Sequence, residues 1–259
     1  MGKNKLRKFA EMETFHNVFQ CGAREALADS PIKTMAGHWR ERYFQNNNPI
    51  VLELGCGRGE YTVGLAAAYP DKNYIGIDIK GARMWAGAKI AEQAQMHNVA
   101  FLRTNIEMLT EFFSADEVDE IWITFPDPQM KKATKRLTST YFMARYAQIL
   151  RANGLIHLKT DSPFLYTYTH AMAETNQFHL IADTQDLYAT APADELTTAR
   201  MLQTHYEHQW LDRELTIKYL QWQLPSKNEQ PNWIEPNIEI EKDTYRSYGR
   251  NYVVANDNV

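Results

Sequence analysis

Between residues 50 and 176 the chain alternates five times between a short apolar run and a segment of helical periodicity. The apolar runs are 50–54, 73–77, 99–103, 118–124 and 154–159. The helical segments are 60–69, 81–96, a short one near 106–113, 138–151 and 162–176. That rhythm predicts an open, doubly wound α/β sheet, mostly parallel, with helices on both faces. Runs 178–182 and 216–222 read as two closing strands, which makes seven in all. Asn153-Gly154 is expected to stop the helix before it.

Two segments in this frame carry chemistry. Gly55-Cys56-Gly57-Arg58-Gly59 lies between the first strand and the first helix, the context a nucleotide-binding turn requires. Glycines let a ligand approach the backbone with no Cβ in the way. The Gly-x-Gly-x-Gly spacing differs from the Gly-x-Gly-x-x-Gly of dinucleotide enzymes, which disfavours an NAD-type oxidoreductase. Asp78 ends the next strand, about 20 residues on, where an acid can take ribose hydroxyls.

The second segment is Phe125-Pro126-Asp127-Pro128, at the end of run 118–124. Each proline fixes its own φ and pushes its predecessor toward extended geometry. The Asp127 carboxylate is therefore expected to be held at a strand's carboxyl end, the edge where open α/β sheets bind ligands. Lys131, Lys132, Lys135 and Arg136 follow. A rigid carboxylate beside cations suits a small polar target embedded in a polyanion. The ordinary alternative is a Pro-rich loop with a solvated charge run.

Composition narrows the class. Among 259 residues, no apolar run reaches transmembrane length. The basic start has no apolar stretch behind it, unlike a secretory signal. Cys21 and Cys56 make neither a disulfide framework nor a zinc site, so a reducing cytoplasm is the expected compartment. His205 and His208 share a helix face without a third ligand, and no metal is expected. The net charge of −4 argues against coating nucleic acid non-specifically but allows a local basic patch. Residues 1–48 hold eight Lys/Arg against five acids and read as a basic, helical extension. Residues 49–224 then form the main domain, and 225–259 an extension with little regular structure.

Taken together, Glu53-Leu-Gly-Cys-Gly-Arg-Gly59, Gly76-Ile-Asp78, Asn105, Phe125-Pro-Asp-Pro128, Lys131-Lys132, His157-Leu-Lys-Thr-Asp161 and Thr204-His-Tyr-Glu207 resemble the bacterial tRNA (guanine-N7-)-methyltransferases. The resemblance spans residues 45 to 224. It implies a Rossmann-like class I methyltransferase with a seven-stranded sheet. The implied reaction moves the methyl of S-adenosyl-L-methionine to N7 of a guanine in tRNA, position 46 of the variable loop. It assigns Glu53, Gly55, Gly57, Gly59, Asp78, Asn105 and Asp127 to the cofactor, with Asp127 also catalytic. Lys131, Asp161, Thr204, Tyr206 and Glu207 would meet the substrate, and Lys132, Lys135 and Arg136 the phosphates. The implied partner is tRNA, with no membrane and no metal, for a monomer or homodimer. By themselves, Thr204, Tyr206 and Glu207 also read as a helix start with an acid in its first turn. Many members carry a Trp after the second proline, whereas this chain has Gln129-Met130. No aromatic role is expected there, and phosphate binding is expected to be weaker.

Guanine N7 has a free lone pair, so this chemistry needs no strong base. The base becomes cationic as the methyl arrives, and a nearby carboxylate lowers that barrier. Two rival readings remain open on the residues: a methyltransferase for a small molecule or protein, and a non-catalytic tRNA-binding protein.

Overall fold

A computed structural model of the chain describes residues 3–21, 31–225 and 232–245. Its centre is one sheet of eight strands. In chain order they are β1 (Val18–Gln20), β2 (Ile50–Leu54), β3 (Asn73–Asp78), β4 (Val99–Arg103), β5 (Val118–Thr124), β6 (Leu150–Thr160), β7 (His179–Thr184) and β8 (Lys218–Gln223). The spatial order is β1-β4-β3-β2-β5-β6-β8-β7. All pairs are parallel except those of β8, which runs antiparallel between β6 and β7. The helices used below are α1 (Lys3–Met12), α2 (Glu60–Ala68), α3 (Gly81–Gln93), α4 (Thr140–Ile149), α5 (Pro163–Thr175), α6 (Asp194–Met201) and α7 (His205–Leu211).

The apolar runs became strands because the sheet is covered on both faces. Every residue of β2 and of β5 is buried. Side chains alternate between the two layers. Leu52, Leu54, Ile121 and Ile123 pack with Phe142, Tyr146, Leu165 and Met172 of α4 and α5. Val51 and Trp122 pack on the other side with Tyr61, Leu65, Met84 and Ala88 of α2 and α3. Since β2 to β6 are parallel, their carboxyl ends share one edge. Chain order departs from β2 toward β3 on one side and β5 on the other, which opens a crevice above the carboxyl ends of β2 and β5.

The structure corrects the expected seven strands to eight. The extra one, β1, pairs parallel with β4 at the sheet edge, Val18 opposite Phe101. Three residues are too few to show a period in sequence. The segment before residue 48 also carries α1, which packs on α3. Glu11 of α1 accepts from Trp85 Nε1 at 2.9 Å and pairs with Lys89 at 2.6 Å. Asn153-Gly154 does not end a helix either. Helix α4 ends at Ile149, and β6 begins at the next residue, Leu150. The register jumps between Val118↔Leu150 and Glu120↔Leu155, so Asn153, at φ 60°, lies in an exposed bulge of β6. Helices α6 and α7 were absent from the strand–helix rhythm read from the sequence, apart from the helix start at Thr204.

One packing contact holds α3 to the glycine turn. A Cβ on Gly87 would lie 2.6 Å from the Arg58 carbonyl oxygen and 3.0 Å from Gly59 Cα. Both are backbone atoms, so neither side can yield cheaply. Gly87→Ala is therefore expected to lower stability by about 1–3 kcal/mol, despite alanine's better helix propensity. Thermal unfolding checks this, and an unchanged or raised midpoint would refute the contact.

Candidate active site

Strand β2 runs into the glycine turn, which is fastened to the end of β3. The backbone N–H groups of Gly55 and Cys56 both donate to the Ile77 carbonyl, at 2.8 and 3.0 Å. Gly55 and Gly57 have φ of 76° and 55°, the left-handed region that favours glycine. A Cβ on Gly57 would meet nothing nearer than 3.9 Å, and one on Gly55 nothing nearer than 3.8 Å. Their bare backbone therefore faces open space in the crevice. Gly59 shares the left-handed conformation, at φ 73°, and is further constrained by packing. A Cβ there would lie 2.6 Å from the Phe101 ring. Both its backbone conformation and the packing beneath the turn therefore call for glycine.

Two acids organise this turn. Glu53 is buried and accepts from Thr62 N at 2.8 Å, from Thr62 Oγ1, and from Thr124 Oγ1 at 2.8 Å. Burial pushes its carboxyl up to about 7, against the lowering effect of the Thr62 and Thr124 bonds. Asp78 accepts from Gly57 N at 3.0 Å through Oδ2 and from Lys80 N at 2.7 Å through Oδ1. Each carboxylate oxygen keeps a lone-pair direction for a ligand hydroxyl. Glu53, Gly55, Gly57 and Asp78 line one cleft together with Thr204 and Tyr206. Arg58, Arg83, Thr124 and Phe125 also reach it. Asn105 stands apart from that lining. It follows β4 on the same edge and opens a 3₁₀ turn, Ile106–Glu111, without a side-chain cap bond.

The Pro-flanked loop departs from its expected geometry. Phe125 was expected to be extended, but its φ is 47°. A bulky residue in the left-handed region is strained, at a cost of about 1–3 kcal/mol. It is held there by its N–H, which donates to the Lys159 carbonyl at 2.8 Å. Asp127 is exposed, and its Oδ1 accepts from Gln129 N at 3.0 Å, closing a tight turn. Lys131 and Lys132 are exposed. Lys135 pairs with Glu107 at 2.9 Å. Arg136 is turned inward: it is buried, lies 4.3 Å from the Tyr168 ring and 4.8 Å from the Phe164 ring, and donates to the Gln129 carbonyl. The expected run of four free cations thus narrows to two.

Thr204 and Glu207 form a capping box on α7. Glu207 N donates to Thr204 Oγ1 at 3.2 Å, and Thr204 N donates to Glu207 Oε2 at 3.4 Å. Glu207 is fully buried, 2.7 Å from Lys159 Nζ and 2.5 Å from the Tyr188 hydroxyl that donates to it. Lys159, equally buried, also donates to the carbonyls of Ala199 and Leu202 at 2.5 and 2.9 Å. Tyr206 stays exposed, on the cleft rim. His205 N donates to Glu60 Oε2 at 2.8 Å, which ties α7 to the start of α2. Sequence reasoning gave Lys159 no role of its own. The signal was there: a lysine inside the apolar run 154–159 needs a buried partner. Asp161 is buried too, accepting from the Tyr245 hydroxyl at 2.6 Å. Among the described residues, no group of three or more His, Cys, Asp or Glu is placed to hold a metal ion. Nor is any described helix long and apolar enough to cross a membrane.

A family whose description reads "Putative methyltransferase" matches residues 47–220. A tRNA (guanine-N(7)-)-methyltransferase of Bacteroides fragilis is 57% identical over 250 residues, 96% of this chain and 96% of that protein. One from Porphyromonas gingivalis is 54% identical over 239 residues, 92% of this chain and 96% of that protein. In fold, the chain is similar to the crystal structure of the 16S rRNA methyltransferase KamB. The TM-score is 0.53 at 16% identity, over 71% of this chain and 92% of that one.

The raised Glu53 carboxyl has a measurable consequence. Between its ordinary value of 4.5 and about 7, the unfolded chain releases a proton that the folded chain keeps. This contribution to stability is complete below pH 4.5 and lost as pH rises through about 7. The ligand-free protein is expected to lose up to about 3 kcal/mol across that window. Glu53→Gln should lack that slope. Thermal midpoints of both proteins against pH check it, and parallel curves would refute it.

Proposed function

The chain belongs to the tRNA (guanine-N7-)-methyltransferase family, and on that premise we propose how its residues divide the transfer of a methyl group from S-adenosylmethionine to N7 of a guanine in tRNA. The observation that carries this reading is the juxtaposition at one sheet edge. A cleft lined by bare glycine backbone and two acids lies beside a rigid loop bearing an exposed carboxylate and two free lysines.

The residues present fit S-adenosylmethionine. The open backbone above Gly55 and Gly57 admits its amino-acid end, and Glu53 beneath suits its cationic charge. Asp78 takes the ribose hydroxyls with its remaining lone pairs while holding Gly57 in place. Asn105, with its side chain uncommitted to capping, offers a donor and an acceptor to the adenine edge. The cofactor supplies an electrophilic methyl on a sulfonium.

The protein's part in the transfer is positioning and charge. Asp127 stands on a strand-end loop fixed by two buried prolines and by the Gln129 turn. Its carboxylate offsets the positive charge that grows on the guanine. Asp161 accepts from the donors of the base and fixes it in line. Lys131 and Lys132 take phosphates near that base, positioning the RNA without reading its sequence. Glu207 acts indirectly: its buried carboxylate holds Thr204 and Tyr206 over the cleft rather than meeting RNA. The enzyme works in the cytoplasm, as a monomer or homodimer.

Incubation with labelled S-adenosylmethionine and bulk tRNA, followed by nucleoside analysis, is expected to yield 7-methylguanosine. No such product would overturn the reading. Asp127→Asn is expected to cut turnover by roughly 10²-fold or more with cofactor affinity little changed. Near wild-type turnover at saturating substrates would remove Asp127 from the chemistry. Replacing Lys131 and Lys132 together by alanine is expected to weaken tRNA binding and flatten the slope of log K against log salt by about 1.5–2. Survival of both affinity and slope would favour a substrate other than RNA.

A further inference from the structure

Residues 232–244 run without regular secondary structure, and the segment up to 245 is fastened to the ends of several elements. Ile234 exchanges both backbone bonds with the Asn176 side chain, each at 2.8 Å. Glu235 accepts from Thr140 N at 3.0 Å, from Thr140 Oγ1, and from the Tyr168 hydroxyl at 2.6 Å. Asp243 accepts from Ser162 Oγ and from Phe164 N at 3.1 Å. Two carboxylates of one segment therefore sit at the N-termini of α4 and α5, where negative charge and acceptors are favoured. This path leads the chain to the carboxyl edge of the sheet, where it places Tyr245.

There the Tyr245 hydroxyl donates to Asp161 Oδ2 at 2.6 Å. Its ring meets Trp210 edge-on, with centroids 5.6 Å apart and planes at 86°. The Arg213 guanidinium lies 5.3 Å from the same indole. Asp161 is left 1% exposed. If Asp161 receives the guanine, as the proposed function has it, the base cannot reach that carboxylate while Tyr245 is in place.

We propose that Asp161, Trp210 and Arg213 form the subsite for the target nucleotide, and that Tyr245 occupies it as a stand-in for the base until tRNA displaces it. The chemistry of the set fits a nucleotide. A carboxylate accepts from N–H groups on the base edge, an indole offers a stacking surface, and a guanidinium pairs with phosphate. Tyr245 presents the two features of guanine that such a site reads, a flat ring and a hydrogen-bond donor. Trp210 also supplies an aromatic surface that Gln129 and Met130 do not. Because the site is bindable only in the fraction of molecules with Tyr245 withdrawn, the strap weakens apparent tRNA affinity by that fraction.

Two variants of the full-length protein test this, with tRNA and cofactor dissociation constants measured separately. Tyr245→Phe keeps the ring but removes the donor to Asp161. It is expected to tighten tRNA binding by roughly 3- to 10-fold and leave cofactor affinity unchanged, since a hydrogen bond to a charged group is lost only from the closed state. Trp210→Leu is expected to weaken tRNA binding by roughly tenfold, the scale of one base–aromatic stack, while Trp210→Phe retains most of it. Unchanged or weaker tRNA binding by Tyr245→Phe would make Tyr245 a structural support and overturn the proposal. So would wild-type tRNA affinity in Trp210→Leu. Should the leucine variant fail to fold, the Tyr245→Phe measurement decides alone. Wild-type formation of 7-methylguanosine separates the two levels: its presence with a failed Tyr245 test removes only this subsite, and its absence removes the function beneath it.

Discussion

Lys159 is the residue through which the site is held together. Its carbonyl, at the end of β6, holds Phe125 in its strained conformation and so sets the loop that bears Asp127. Its ammonium, with no exposed surface, holds Glu207 and the carbonyls of Ala199 and Leu202. One side of the residue fixes the loop that bears Asp127, and the other fixes the rim of the cleft above the glycine turn. Burial pulls the lysine's pKa down to about 8, and Glu207 opposes that shift. A buried ion pair of this kind adds little net stability over an apolar pair, but losing one partner strands the other, typically at 3–5 kcal/mol. The pair therefore specifies an arrangement more than it strengthens the fold.

The cleft itself follows from close backbone packing. Gly59 and Gly87 allow α3 to approach the turn until no side chain fits between them. With the turn pressed from below, Gly55 and Gly57 present their backbone upward. Asp78 completes this by accepting from Gly57 N. The acid is at once part of the cleft wall and a brace of the turn. Glu53 and Asp78 lie close enough that Asp78 adds to the rise in the Glu53 carboxyl, behind burial as the main cause. A cationic ligand end placed there would reverse that rise and release the proton.

Charge is distributed by the same economy. The net charge is −4, and three cations near the site are committed: Lys135 to Glu107, Arg136 to two aromatic rings, Lys159 to Glu207. Lys131 and Lys132 remain exposed on the loop that carries Asp127. Phosphates held there, as proposed above, would bring a specific point of the polyanion to the carboxylate, while the acidic body discourages adsorption elsewhere.

The sequence by itself determined the layered α/β fold, the strand positions 50–54, 99–103 and 118–124, and the edge at which Glu53, Gly55, Gly57, Asp78 and Asp127 gather. These are local: an apolar run, a glycine turn or a proline pair acts over a few residues and leaves its period in the chain. What it left undecided depended on partners far away in sequence. Arg136 reads as a phosphate contact until Phe164 and Tyr168 are seen beneath it. Glu207 reads as a substrate contact until Lys159, 48 positions earlier, is found against it in the core. Asp161 reads as an open carboxylate until Tyr245 arrives from the far end of the described chain. A charged side chain carries the same letter whether it is solvated, paired or buried, and only the tertiary structure decides which, because desolvation and partner distance are set by what packs around it.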